Sequence, residues 1–187
     1  MKKILALTLA AIMLLTIVSC GPAAEVTGPS VADAKELLTK VWDVHADEEK
    51  FATAGGDFAE ENMTMDAPGK FGIADLEAIQ AMLLIPADSV ALIDDAASLM
   101  HMMNANTFTC AAFHVVDEAN VAVLADTMKG VISQNQWMCG FPDKFTIITV
   151  GNYVISIFGN EQLVDTFKTH TTEVYESANV VYDEPIA

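Results

Sequence analysis

Two largely apolar runs, residues 145–150 and 153–158, flank Gly151-Asn152 and form the clearest pattern in the chain. Two β-rich runs around a two-residue turn predict a β-hairpin, and the turn sets its register. The opposed pairs on one face are Val150 with Tyr153, Ile148 with Ile155, and Thr146 with Ile157. Because this face is nearly all apolar, another element must cover it.

Apolar residues at helical spacing predict four helices. Ser30 offers an N-cap to the first, Pro86 closes the second, Asp117 caps the third, and Asn160 caps the last, which is the expected cover of the hairpin. The residues that define these stripes are Val31, Ala34, Leu38, Val41 and Trp42; Ile73, Leu76, Ile79 and Leu83; Val121, Leu124, Met128 and Ile132; and Leu163, Val164, Phe167, Val174 and Tyr175. Residues 87–96 add a short helical turn.

Segments 98–103 and 108–116 predict a second hairpin, whereas residues 45–70 lack periodicity, are rich in glycine and acids, and predict a loop. The order of elements favours an α+β fold. We expect a mainly antiparallel sheet of about four strands built from two hairpins, with helices packed on it, as ββαββα after one or two N-terminal helices. A single domain would span residues 30–178, with a ragged tail or an added edge strand at 179–187.

The start of the chain has the form of a secretory signal. Lys2 and Lys3 precede a run of 15 residues, 4–18, in which nothing is more polar than threonine. This pattern predicts a signal peptide over residues 1–19, since a membrane-spanning helix needs about 20 apolar residues. Residues 20–29 predict a flexible tether.

Ile17-Val18-Ser19-Cys20 resembles the lipobox of bacterial lipoproteins. The resemblance implies cleavage before Cys20 and a diacylglyceryl group on its thiol, so the membrane would be a partner through this lipid. Such an anchor would hold the chain on the outer face of the bacterial cell membrane without a spanning helix. The alternative is ordinary cleavage near Gly21-Pro22-Ala23, which would leave a free secreted protein.

Charge excludes one class of partner. Residues 20–187 carry seven lysines, no arginine and 26 acidic residues, a net charge of −19. We therefore expect no nucleic-acid partner, because affinity for nucleic acid depends on basic residues that neutralise phosphates. The missing arginine also removes the usual bidentate clamp for carboxylate or phosphate ligands.

One candidate site lies in the hairpin of residues 98–116. If Met103 pairs with Phe108, then His101 lies opposite Cys110, and His114 shares their face. Two imidazoles, a thiolate and a thioether suit a soft metal such as copper or zinc. Core packing is the favoured interpretation, since Cys and Met commonly fill cores, and no cofactor is predicted.

Catalytic residues are not predicted. A Cys–His nucleophile pair would need an exposed thiol of low pKa, and the sequence around Cys110 indicates a buried strand. The motifs G-x-S-x-G, H-E-x-x-H, G-x-x-x-x-G-K-[ST] and G-x-G-x-x-G are absent from the sequence. Whether Cys110 and Cys139 form a disulfide stays open, because sequence does not give their geometry.

Several longer stretches carry a family resemblance: "FATAGGDF" followed by "MTMDAPGKFGI", "AAFHVVDEANV", and "FPDKFTIITVGNYVISIFGNEQLVDTF". Together with the lipobox they resemble the lipoproteins of Gram-positive bacteria that carry domain of unknown function 4358. The similarity spans roughly Ser30 to Tyr175, and Gly151-Asn152-Tyr153 is its most specific part. It implies a lipid-anchored extracytoplasmic α+β domain and supplies no catalytic residues.

The sequence thus predicts a lipid-anchored extracytoplasmic lipoprotein that is not an enzyme and that binds a protein partner or a small ligand. The alternative is a lipoprotein that handles a soft metal, copper or zinc, through His101, Cys110 and His114 with Met103 nearby.

Overall fold

The computed structural model describes residues 30–57, 59–103, 107–138 and 140–186. Within them, helices pack on both faces of one antiparallel sheet. The helices are α1 (Ala34–Asp43), α2 (Leu76–Leu83), α3 (Ala87–Val90), α4 (Val121–Gln134) and α5 (Glu161–Val174). The strands are β1 (Thr53–Gly55), β2 (Thr64–Met65), β3 (Gly69–Lys70), β4 (Ile93–His101), β5 (Phe108–Val115), β6 (Lys144–Val150), β7 (Tyr153–Gly159) and β8 (Ala178–Pro185). The predicted α+β class with a mainly antiparallel sheet is confirmed.

The sheet has eight strands in the described residues, so the expectation of about four was wrong. The four strands of the two hairpins form its middle in the order β4-β5-β7-β6, and β8 lies beyond β6. β1 and β3 share the other edge of β4, with β2 outside β1. Three of the extra strands fall in the segment predicted as a loop. Each is only two or three residues long, too short for an alternating pattern to appear.

The β6–β7 hairpin has the predicted register, with Val150 opposite Tyr153 and Ile148 opposite Ile155. α5 covers this face together with α1, and α2 and α4 cover the opposite face. The two cores are built from residues 31–186, so a chain that starts at Gly21 retains every residue of both.

The first helix begins later than predicted. Asp33, not Ser30, is the N-cap of α1, and its side chain accepts a hydrogen bond from the backbone N–H of Glu36. Aspartate and serine cap about equally well, so the cap residue alone does not distinguish the two starts. The N–H of Ala34 also donates to the side chain of Asp95 at 2.7 Å, which attaches the start of α1 to the start of β4.

The predicted register of the β4–β5 hairpin was wrong by two residues. Leu99 lies opposite Cys110, so the pairing of His101 with Cys110 and of Met103 with Phe108 does not occur. β4 ends at His101 and β5 begins at Phe108, which leaves a longer connection than the four residues expected. A longer connection fixes register less strongly than a two-residue turn does.

β8 forms an edge of the sheet along β6, so the second of the two expectations for the tail is the one observed. The pairing register shifts between Ile147 and Ile148, which marks a bulge. The side chain of Asp183 forms ion pairs with Lys144 and Lys168, each at 2.8 Å, and Pro185 ends the strand.

Candidate binding groove

The structure does not bring the four candidate metal ligands together. His101 is at the end of β4 near the start of β5, whereas His114 lies near the end of β5, opposite Asp95 and Tyr153. Six residues of strand separate Phe108 from His114, which corresponds to about 20 Å. Among the described residues, no three His, Cys, Asp or Glu side chains are arranged to hold a metal ion.

The side chains of this set have other partners. The Nδ1 atom of His101 accepts a hydrogen bond from the N–H of Met103 at 2.9 Å, and its ring stacks on Phe51. Burial lowers the pKa of His101, which favours a neutral ring. His114 hydrogen-bonds through Nδ1 to the carboxylate of Asp94.

Cys110 is fully buried, and burial raises the pKa of its thiol well above the usual value. A neutral, inaccessible thiol is a poor nucleophile and a poor metal ligand. The questions of lipid on Cys20 and of a disulfide to Cys139 concern residues outside those that the structure describes, as do residues 1–29 as a whole.

A cavity of about 370 Å³ lies at the end of the sheet where β4 ends and β5 begins. Four methionines line it: Met82 near the end of α2, Met100 on β4, Met103 just after β4, and Met138 on the connection from α4 to β6. We call this cavity the methionine groove. Its size falls in the range of small-ligand sites, about 300–1,000 Å³.

The rest of the groove combines aromatic side chains with uncharged polar ones, which are Thr107, Thr109, Asn135 and Gln136. Trp137 and Phe158 both line it and pack together, with their ring centroids 5.2 Å apart. Leu84, another lining residue, has a φ of 55°, the left-handed conformation that a branched side chain rarely adopts. Such strain is concentrated at functional sites in proteins, and here it turns the chain away from α2 beside the groove.

Methionine is distributed unusually in this molecule. Of the eight methionines in the described residues, only Met128 is buried. Met138 is 89% exposed and Met103 is 58% exposed, both at the groove. Met65 and Met100 both pair with Ala54, on the strands to either side of it, so their side chains lie on the same face of the sheet. A residue that normally fills cores is therefore mostly exposed or partly exposed in the described part of this molecule.

The surroundings of the groove are acidic. A shallow depression beside it shares Ala81 and Met82 with it and adds Asp75 and Glu77. No lysine in the described part of the chain lines either cavity. Five of the seven lysines of the domain are in ion pairs with carboxylates: Lys40, Lys70, Lys129, Lys144 and Lys168.

A second cluster lies between α1 and α5. His170 is hydrogen-bonded to Glu49 and to Glu173, each at 3.0 Å, and its ring centroid is 4.5 Å from that of His45. Burial lowers the pKa of His170, but the two carboxylates outweigh burial, so its pKa is raised. Burial lowers the pKa of His45, whose Nδ1–H donates to the carbonyl of Val41. This cluster connects the loop after α1 to α5.

Sequence reasoning identified only Met103 among the groove methionines, and it did so for a metal site. It did not identify four other lining residues: Met82, Met100, Trp137 and Met138. The available signal was the count of ten methionines, eight of them after residue 60. What suggests a site is that these methionines are exposed, and their exposure is set by the tertiary structure rather than by a pattern in the sequence.

Comparison with known proteins gives no significant match to a protein-family model, a curated protein or a solved structure. Within the described ranges, no helix has both the length and the apolar character needed to cross a bilayer. The resemblance to lipoproteins with domain of unknown function 4358 therefore stays a prediction.

Proposed function

We propose that this chain is a lipid-anchored extracytoplasmic binding protein, not an enzyme, and that the methionine groove holds apolar groups of its ligand or partner. The observation that carries the proposal is the display of methionine at one cavity: four line it, and two of these are more than half exposed. Flexible, polarizable methionine side chains are used on surfaces that adapt to different apolar partners.

Two further observations support binding rather than catalysis. The thiol of Cys110, the one nucleophile candidate raised by the sequence, is buried with a raised pKa. The described residues of the groove lining include no acid or lysine that could act as a general acid or base, and the ring of the histidine among them, His101, is stacked on Phe51. The anchoring part of the proposal, including membership of the lipoprotein family named above, rests on the sequence stretches that carry that resemblance.

The proposal is tested with N-phenyl-1-naphthylamine, a neutral dye that fluoresces in apolar sites. A neutral probe is needed because the acidic chain would repel an anionic dye. We expect the chain from Gly21 to Ala187 to bind the dye, and the double variant Met103→Gln/Met138→Gln to bind about tenfold more weakly, since glutamine keeps the size of methionine but not its apolar character.

A matched control uses two apolar residues of similar exposure outside the groove. Val116 is 60% exposed and Val123 is 52% exposed, and neither lines the cavity. The variant Val116→Thr/Val123→Thr should bind the dye as the unaltered chain does. Dye binding that is absent, or equally weakened in both double variants, would show that the groove is not a binding site.

A further inference from the structure

We propose that the occupant of the methionine groove is a cationic amphipathic segment of a partner protein. Its apolar side chains would enter the groove, and its lysine or arginine residues would face the acidic rim. This inference rests on the proposed function and adds the chemical class of the partner.

The lining defines what enters the groove. Its described lining contains four methionines, Trp137 and two phenylalanines together with the uncharged polar residues Thr107, Thr109, Asn135 and Gln136. It contains no charged side chain apart from His101, whose pKa is lowered by burial. A charge placed inside would lose its hydration without gaining a partner. Large apolar side chains would instead gain the free energy of burial that each contributes in a core. The part of the partner that is inserted is therefore uncharged and mainly apolar.

The rim defines what surrounds the inserted part. Asp75 and Glu77 stand beside Met82 in the adjoining depression, whereas the carboxylate of Asp143 accepts hydrogen bonds at the start of α5 and is not part of this rim. Among the described residues no lysine belongs to either lining, and the domain as a whole is strongly acidic. Opposite charge on the partner speeds encounter and excludes acidic competitors. An amphipathic helix with basic residues around an apolar face meets both requirements.

The methionines explain why the site need not match one partner sequence. Unbranched thioether side chains repack around apolar groups of different shape at small cost. Met103 and Met138 lie on connections between elements rather than within strands, so their backbone is less constrained than that of Met100 on β4. We therefore expect recognition of an apolar and basic pattern rather than of a unique sequence.

The test compares three dye-labelled peptides of about 14 residues, a length that forms four turns of helix. The first has leucine and lysine at helical spacing, the second replaces each lysine by glutamate, and the third keeps the lysines and replaces each leucine by serine. We expect the chain from Gly21 to bind the leucine–lysine peptide at least about tenfold more tightly than either of the others at about 0.15 M salt.

Variants separate the two contributions. Met103→Gln/Met138→Gln should weaken the leucine–lysine peptide about tenfold, and Val116→Thr/Val123→Thr should not. Glu77→Lys should weaken it about threefold through the rim, with a smaller effect at high salt. Its control is Glu118→Lys, because Glu118 is also exposed in the first turn of a helix but follows the other end of β5.

Equal binding of the leucine–lysine and leucine–glutamate peptides would overturn the inference, as would equal binding of the leucine–lysine and serine–lysine peptides. If the neutral dye still binds in a methionine-dependent way, that result removes the cationic partner and leaves the proposed function intact. If neither the dye nor any peptide distinguishes the methionine variant from its control, the proposed function fails as well.

Discussion

Gly55 and Gly69 bring two backbone segments closer together than any side chain would allow. A Cβ atom on Gly55 would lie 2.2 Å from the amide nitrogen of Gly69 and 2.5 Å from the carbonyl carbon of Pro68. Both neighbours are backbone, so neither can rotate away. This contact packs β1 against β3 where both reach the edge of β4.

Replacing Gly55 with alanine should therefore lower the free energy of unfolding by about 3 kcal/mol, because the methyl group must displace backbone. Urea denaturation of the chain from Gly21 measures this loss. Gly130→Ala is the matched control: Gly130 lies within α4, and a Cβ there meets nothing within 4 Å. It should raise stability by about 0.5–1 kcal/mol, the helix preference for alanine over glycine. Equal effects at the two positions would contradict the close approach.

At the residue scale, the sequence predicted which residues are buried in the core better than which surface residues line the groove. Leu124, Met128 and Ile132 were predicted to face the core because helical spacing reports burial directly, and all three are buried. Met138 follows α4 in a segment without periodicity, so no pattern could show that its side chain borders a cavity.

At the element scale, the two hairpins differ in what the sequence could determine. Gly151-Asn152 allows only one closing pair, so the register of β6 and β7 was predicted correctly. The β4–β5 connection is longer, and a bulge between Ile93 and Asp95 shifts the pairing further along β4. The candidate metal site depended on that register, and it disappeared when the register shifted by two residues.

The junction between α5 and the loop after α1 should respond to pH. A histidine with a raised folded pKa adds stability that is complete below its unfolded pKa, near 6.5, and is lost as the pH rises through the folded value. His170→Gln should therefore lower the free energy of unfolding more at pH 5.5 than at pH 8.5. The difference should be at most about 1 kcal/mol, because the two carboxylates are exposed and solvent screens their interaction with the ring. Urea denaturation at the two pH values measures the difference.

The neighbours of His170 provide the controls for this experiment. Glu173→Gln removes one of its two carboxylate partners. This variant should therefore show part of the pH-dependent loss of stability expected for His170→Gln. Glu176→Gln changes an acid just beyond α5 that is not hydrogen-bonded to His170 and should leave the pH dependence unchanged. A cost of His170→Gln that is the same at both pH values would mean that the carboxylates do not raise the pKa of His170 above its value in the unfolded chain.

At the scale of the whole molecule, one sheet carries helices on both faces, and the groove lies at the opposite end from the start of α1. The N–H of Ala34 is tied to Asp95 near the start of β4, whereas Met100 and Met103 lie at and after its end. Five residues of strand from Asp95 to Met100 correspond to about 17 Å. A lipid attached before α1 would thus join the domain at the end of the sheet opposite the groove.

The anchor itself is tested in a bacterial host that processes lipoproteins. We expect the full chain to incorporate labelled palmitate and to enter the detergent phase of a phase-separating detergent, because two or more acyl chains give stable membrane attachment. Cys20→Ser should abolish both, whereas Cys110→Ala should abolish neither, since Cys110 is buried in the core. An unaltered chain found unlabelled in the aqueous phase would instead support cleavage near Gly21-Pro22-Ala23.

On an anchored chain, the edge strand β8 would also affect how neighbouring copies interact. Molecules confined to a plane meet their own copies far more often than molecules in solution, and an open strand edge is a template for pairing between copies. Here the outer strand carries a bulge, the acids Asp183 and Glu184, and Pro185 at its end, while the opposite edge has strands of only two or three residues. Such features discourage pairing between the sheet edges of neighbouring copies. Copies crowded on a membrane would therefore stay separate, and their grooves would remain accessible.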